Sequence, residues 1–413
     1  MKILWLSHFI PFPPKSGMLL RSYNMLAQLS KEAEVDLIAL ARSDTFASTD
    51  KSTQESIDEA NVALGEMCKS VSFVPDQCGR TTMHKVSRAL TGLVTRRFYA
   101  ESWFCQPLFV EAVRDAIQAK KYDLVHVDTI GLCSLRALVG DIPAVLNHHN
   151  IESDMMSTRA KNTKNLLARL FFQIEASNIR RAERTWASRF DINITCSDLD
   201  SQRLRVIDDR IEVDEIPNGV DTEVFRPSST DVTDETGIFI GGLSWYPNRD
   251  AMEFFATEIW PELSARNPNF KFDLVGRNPS QKLVEIGAHD SRFTVHGFVD
   301  DIHAQMARAR VYICPIRDGG GTKLKILDAL ASGKAIVAHP RALDGLTTED
   351  GTNVLVAETP KDFVDSIERV LNDESLRLSL EENARRLAET QYSYDIIGSK
   401  LRQLYQQISE RSG

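Results

Sequence analysis

Short, almost continuously apolar runs alternate with stretches of helical period along this chain, and no other feature constrains the fold so tightly. The runs are KILWLS (2–7), VDLIALA (35–41), DLVHVD (123–128), AVLNH (144–148) and DINITCS (191–197). A strand apolar on both faces must be covered on both faces, which is the condition of a parallel sheet between layers of helix. The first half is therefore predicted to be an α/β domain. After IPNGVDTEVFRP (216–227) the alternation stops in SSTDVTDET (228–236), a polar stretch without periodicity that reads as a linker. It resumes in GIFIGG (237–242), FKFDLVG (270–276), FTVHGFV (293–299), RVYICP (310–315), KAIVAH (334–339) and TNVLVA (352–357).

The expected organisation is a first domain over 1–227, a linker over 228–236, a second domain over 237–392 and a helical tail over 393–413. That tail either packs back on the first domain or caps the second. With 413 residues, each domain is long enough to bury its own core. Two doubly wound domains facing each other are expected to put their strand C-terminal ends on the walls of one interdomain cleft.

Charge and cysteine usage remove several classes. The net charge of −9 gives no global attraction to nucleic acid. The six cysteines lack CxxC or CxxH spacing, so neither a zinc site nor a disulfide framework is expected, and a cytoplasmic location fits. MKILWLSHFIPFPP reads as a first strand and its loop, since prolines interrupt the apolar run at once. No run reaches the roughly 18 apolar residues of a membrane span.

The stretch richest in chemistry is PIRDGGGTKLKILDALASGKAIVAHP (315–340). A strand-like run precedes it, and KILDALA (325–331) reads as a helix stopped by Gly333, so the glycines lie in a strand-to-helix turn. Such a turn lets a ligand approach the backbone and meet free N–H groups at the helix start, which suits a phosphate or a sugar. A dinucleotide fingerprint, a Walker GxxxxGK[ST] loop and a GxSxG elbow are all missing.

Four separated stretches carry a family resemblance: PPKSG (13–17), IPNGVD (216–221), VGRNPS (275–280) with HGFVDD (296–301), and the glycine-rich stretch itself. Together they resemble the retaining GT-B glycosyltransferases of group 4, most of all the bacterial sugar transferases of exopolysaccharide synthesis. The resemblance implies two Rossmann-like domains, with a nucleoside diphosphate-sugar held mainly by the second and a glycan or lipid-linked acceptor brought from the first. It implies no metal and no cofactor beyond the donor. Catalysis would rest on stabilising charge on the departing diphosphate.

Carried onto this chain, the resemblance assigns Asp328 to the ribose hydroxyls, where the family has a longer Glu. The first Glu of the family's pair falls on Gly320, with Asp318 two residues earlier as a substitute. Gly319, Gly320, Gly321 and Thr322 are assigned to the sugar or diphosphate through their backbone, and Lys323 and Lys325 to its charge. The family's Arg/Lys pair after the second domain's first strand is replaced in GGLSWYPNRD (241–250) by Gly242 and Pro247. Arg249 and Arg277 are the remaining candidate cations. Phe298 and Val299 would meet the nucleobase through their backbone.

On the acceptor side Gly17 allows close approach, with Lys15 and Arg21 nearby. His148 and His149 are candidates for contact with the sugar, His149 preferred. Asp128 lines the same region or caps a helix. Segment 163–186 sets Leu167, Phe171, Ile174, Ile179, Ala182 and Trp186 at helical spacing beside several arginines; it either packs its stripe on the sheet or lies against a membrane. LTGLVTRRFYAESWF (90–104) adds a second basic, aromatic stretch. Two other readings stay open: a sugar-nucleotide-binding partner without catalysis, suggested by the missing glutamate and Arg/Lys pair, and an epimerase or phosphorylase of the same fold.

Overall fold

The computed structural model describes residues 1–42, 52–77, 98–228 and 235–411. The chain forms two compact units, Met1–Pro217 with Gly398–Gly413, and Asn218–Ile397. Cys78, positions 90–97 of the second aromatic stretch and 229–234 of the polar stretch lie outside the described residues.

Unit 1 is built on seven strands: β1 (Lys2–Ser7), β2 (Glu34–Ala41), β3 (Ser70–Pro75), β4 (Leu124–Val127), β5 (Ala144–Asn147), β6 (Ile192–Thr195) and β7 (Val213–Glu215). Their order is β3-β2-β1-β4-β5-β6-β7, and every pairing is parallel. The five apolar runs read from sequence are β1, β2, β4, β5 and β6. The two strands without such a run, β3 and β7, are the sheet's edges. β3 is exposed at Ser70, Ser72 and Pro75 and β7 has three residues, so neither needs the two-sided apolar composition of a central strand.

Unit 2 repeats the plan with β8 (Thr236–Ile240), β9 (Lys271–Val275), β10 (Phe293–Gly297), β11 (Val311–Cys314), β12 (Ala335–Ala338) and β13 (Leu355–Val356), in the order β10-β9-β8-β11-β12-β13. All six correspond to apolar runs in the sequence. Its core holds an aromatic group in which Phe272 lies 4.2 Å from Phe255 and 5.2 Å from Phe293, ring centre to ring centre. The helix of the glycine-rich stretch runs Leu324–Ala331, one residue longer than expected. It ends through Gly333 at φ 60°, a conformation suited to glycine.

The last helix, Tyr394–Arg411, returns to unit 1 from Gly398 onward. Gly398 packs so closely on Gln28 that a Cβ would overlap that side chain. Arg402 bonds the carbonyl of Gln28 and pairs with Glu32 at 2.9 Å. Tyr405 is fully buried, its hydroxyl 2.5 Å from Nδ1 of the equally buried His126, whose ring stacks on Trp5 at 3.5 Å. Among the described residues no helix is long and apolar enough to cross a membrane, and Cys68, Cys133 and Cys314 are free.

Tyr405→Phe would leave the buried His126 nitrogen without its partner, a cost of about 1–3 kcal/mol. Thermal denaturation should show a melting point lower by a few degrees. An unchanged midpoint would mean that the hydroxyl contributes nothing at His126.

Candidate functional site

In each sheet the winding direction reverses once, between β1 and β4 in unit 1 and between β8 and β11 in unit 2. Loops leaving the C-terminal ends of such neighbours diverge and open a crevice suited to a ligand. The residues singled out from sequence gather around these two points.

In unit 2 the loop after β8 begins Gly241-Gly242, and the backbone of Gly276, after β9, packs directly on Gly241. A Cβ on Gly241 would lie 2.5 Å from Lys325 Nζ, so this glycine makes room for the lysine. Lys325 rises from the first turn of helix Leu324–Ala331, donates to Asn248 Oδ1 at 2.5 Å and stands 4.4 Å from the Phe239 ring centre. Asn248 is fixed in turn by donating to the Gly242 carbonyl at 2.8 Å. Sequence reading passed over Asn248, which lies beside the expected cation positions. Its only signal was that neighbourhood.

Lys323 caps the same helix from the turn after β11. Its Nζ donates to the carbonyls of Gly319 (3.2 Å), Gly320 (2.8 Å) and Gly321 (2.9 Å). The triplet was expected to offer amides to a ligand; here it wraps carbonyls around the lysine, and the Gly319 amide donates to Asp318 Oδ1 at 2.7 Å. Gly319 at φ 99° and Gly321 at φ 71° need glycine for their backbone. Gly320 does not, and a Cβ there would meet nothing within 4 Å. Thr322 Oγ1 and Ser280 Oγ are buried without a partner.

Burial governs the charges. It pulls Lys325 down to about 8 and lowers Lys323, and it raises Asp328 to about 7 against the opposing pull of Lys325. Arg277 is exposed and its guanidinium lies 3.9 Å from the centre of the exposed Phe298 ring, while Val299 is half-buried against the core. Arg249 is exposed inside helix Tyr246–Phe254. Sequence reading also missed Arg317, which pairs with Asp250 through two bonds at 2.9 and 3.2 Å.

In unit 1 the centre is Asp128, fully buried at the end of β4. Its Oδ2 accepts from Ser22 (2.6 Å) and Ser7 (3.3 Å), and its Oδ1 accepts from Asn147 (2.7 Å) and faces His126 Nε2 (3.4 Å). Burial would raise its pKa, yet the facing His149 and the bonds from His126 and His149 hold it well below the usual carboxylate range. Arg21 is buried rather than free on the acceptor side: it donates to Asn147 Oδ1 and to the Ile216 carbonyl. That bond turns the Asn147 amide nitrogen towards Asp128.

The two histidines differ in their surroundings. His148 bonds Asn193 Oδ1 of β6 at 3.0 Å, and burial lowers it to about 4. His149 directs Nε2 at the Asp128 carbonyl (3.1 Å) and Oδ1 (3.3 Å), both acceptors, so that nitrogen carries the proton. Its Nδ1 is buried and without a partner, as are Nδ1 of His148 and of His8 in the loop after β1. The His8 and His149 rings lie 6.4 Å apart. Gly17, exposed, opens helix Gly17–Leu29. Among the described residues no group of three or more His, Cys, Asp or Glu could hold a metal ion.

The chain was compared with known proteins. Residues 72–224 match the family described as Glycosyltransferase Family 4, and residues 234–373 match Glycosyl transferases group 1. The alpha-D-kanosaminyltransferase of Streptomyces kanamyceticus is 30% identical over 160 residues, 37% of this chain and 41% of that one. The phosphatidyl-myo-inositol mannosyltransferase of Mycolicibacterium smegmatis is 26% identical over 204 residues, 47% and 52% of the two chains. These matches span about half the length of those relatives. Among solved structures, sucrose-phosphate synthase of Thermosynechococcus elongatus has a TM-score of 0.69 at 16% identity, each chain covered completely. Anabaena HepE in complex with UDP has 0.67 at 17% identity, covering 98% of this chain and 100% of that one. At such identities the likeness is one of fold.

The His149 tautomer can be read directly. Two-bond ¹⁵N–¹H correlation on histidine-labelled protein, assigned by loss of signal in His149→Gln, should show a protonated Nε2. A bare Nε2 would contradict the Asp128 geometry.

Proposed function

Because this chain belongs to the group 1 and family 4 glycosyltransferases and has their GT-B fold of two Rossmann-like domains, we propose that it moves a sugar from a nucleoside diphosphate-sugar to a glycan or lipid-linked acceptor. The anomeric configuration is retained, the product belongs to a cell-surface glycan such as exopolysaccharide, and no metal takes part. The observation that carries this reading is the gathering of Lys323, Lys325 and Asp328 with glycine backbone at the switch point between β8 and β11.

Each group has a task in that reaction. The Lys323 ammonium exchanges the three glycine carbonyls for the diphosphate and stabilises the charge that grows as the bond from the sugar C1 to the phosphate oxygen breaks. Lys325, held against Gly241 by Asn248, supplies positive charge that the loop after β8 lacks. Thr322 Oγ1, buried without a partner, is a spare donor beside them. Asp328 accepts from the ribose hydroxyls, Arg277 adds charge near the base, and the backbone of Phe298 and Val299 meets the base edge. As the acceptor oxygen bonds to C1 on the face the phosphate leaves, its proton passes to a diphosphate oxygen, so the protein needs no general base. His149, whose buried Nδ1 has no partner, forms a hydrogen bond with a sugar hydroxyl, and Gly17 leaves room beside it.

A second reading has one specific support, the absence of a side chain at Gly320 where the family carries a glutamate: a protein that binds the sugar nucleotide and does not consume it. A thermal-shift screen with UDP, GDP, ADP and their sugar conjugates addresses both, with UDP-glucose first, since a HepE structure holds that compound. A ligand at about 100 times its Kd adds roughly 2.7 kcal/mol, a shift of a few degrees. Stabilisation with turnover supports the transferase, stabilisation without turnover supports the binding partner, and no shift with any nucleotide refutes both.

If Lys323 stabilises the leaving diphosphate, Lys323→Ala lowers transfer by about 10²-fold or more; a wild-type rate removes Lys323 from the mechanism. Donor affinity should also depend on pH in a bell. Below about 7 Asp328 takes up a proton and loses acceptor capacity, and above about 8 Lys325 sheds the proton that pairs with phosphate. Calorimetric titration across pH 5.5–9.5, about one and a half units on either side of that window, should show both limbs. Asp328→Asn should remove the acidic limb alone; a flat profile in the wild type would rule out both roles.

A further inference from the structure

One element of unit 1 is left unused by the transfer reading: the helical hairpin of Glu152–Asn162 and Leu166–Trp186. The long helix carries the apolar stripe read from sequence, and its burial is graded. Ile179 and Ala182 are 4% and 8% exposed, Ile174 and Phe171 are half-buried, and Leu167 is 81% exposed. Beside Leu167 at the hairpin's tip, Leu166 and Leu170 are exposed by 78% and 53%. The root of the stripe packs on the domain and its tip stands in water.

Charge follows the same gradient. From 155 to 174 the sequence holds Arg159, Lys161, Lys164 and Arg169 and no Asp or Glu, in a chain whose net charge is −9. All four are exposed, and none makes an ion pair among the described residues. Arg159 instead lies 4.4 Å from the Phe172 ring centre. Acidic side chains enter only nearer the root, where Asp154 lies 3.9 Å from Arg180 and 3.8 Å from Arg203, and Glu175 accepts the Tyr99 amide.

We infer that this tip docks on an anionic lipid bilayer, the leucines entering the boundary between headgroups and acyl chains and the four cations meeting lipid phosphates. Leucines flanked by unpaired cations, with acids kept away, are what an interfacial element requires. A second copy of the chain fits less well. A standard interface buries roughly 800 Å² per partner, more than three leucines at a hairpin tip provide, and a two-fold axis would bring like charges together. The hairpin leaves β5 just after His149, and its first helix of 11 residues rises about 16 Å. A docked tip would therefore hold the end of β5 near the lipid surface. The inference does not rest on glycosyl transfer, because lipid binding is read without turnover.

The test is cosedimentation of the full chain with vesicles of phosphatidylcholine, with and without phosphatidylglycerol. Binding is expected only to the anionic vesicles and should weaken as salt rises. Leu166→Asp/Leu167→Asp should lower the apparent affinity about tenfold or more, with an unchanged melting point, because both positions are exposed and an acid is tolerated at a helix N-terminus. Lys161→Glu/Lys164→Glu should lower it similarly. Failure of the wild type to bind anionic vesicles, equal binding by either variant, or a leucine variant that instead turns a dimer into a monomer would each overturn the inference.

Discussion

Burial of both faces of both sheets is the constraint on which the rest depends. Once helices cover a parallel sheet on each side, its central strands are free to be wholly apolar, and chemistry is confined to the loops at their ends. That is why the charged and polar groups singled out lie at the ends of β1, β4 and β5, or of β8, β9 and β11, and in the loops and helices that follow them. The same constraint makes these groups costly. The buried ones sit where solvent is thin, and are held either by a dense set of partners or at a displaced pKa.

The two switch points handle that cost differently. Around Asp128 the solution is saturation: two serines, an asparagine and two histidines face one carboxylate, and it stays ionised. Around Lys325 and Asp328 the solution is incomplete, and both groups titrate near neutrality. A saturated site is built to hold its shape, whereas an unsaturated one can change its charge when a ligand arrives. Glycine backbone is the common instrument in unit 2, since the ammonium of Lys325 lies where a side chain on residue 241 would begin.

Much of this was legible in the sequence, and what was not has physical reasons. Eleven of the thirteen strands announce themselves as apolar runs; the edge strands β3 and β7 do not, because an edge is not buried on both faces. The glycine-lysine turn and its helix were readable to within a residue, since a strand, a glycine cluster and a stop signal bound them locally. The direction of the glycine carbonyls was not, because peptide orientation in a turn depends on which cation lies nearest. The partners of Asn248, Arg21 and Tyr405 were out of reach for a related reason. Each acts on a residue far along the chain, Lys325 for Asn248, Asn147 and Ile216 for Arg21, and His126 for Tyr405, and one sequence carries no record of such pairings.

Gly320 shows how little of a site's chemistry is imposed by its scaffold. Its neighbours Gly319 and Gly321 are bound to their identity by backbone angle, but residue 320 has an ordinary φ and open space where a side chain would begin. The backbone would therefore accept a carboxylate here at small steric expense, and the chain leaves the position bare. The loop can be regarded as a socket with one contact unfitted: an acid at this point would be a removable group, separable from the architecture that would hold it.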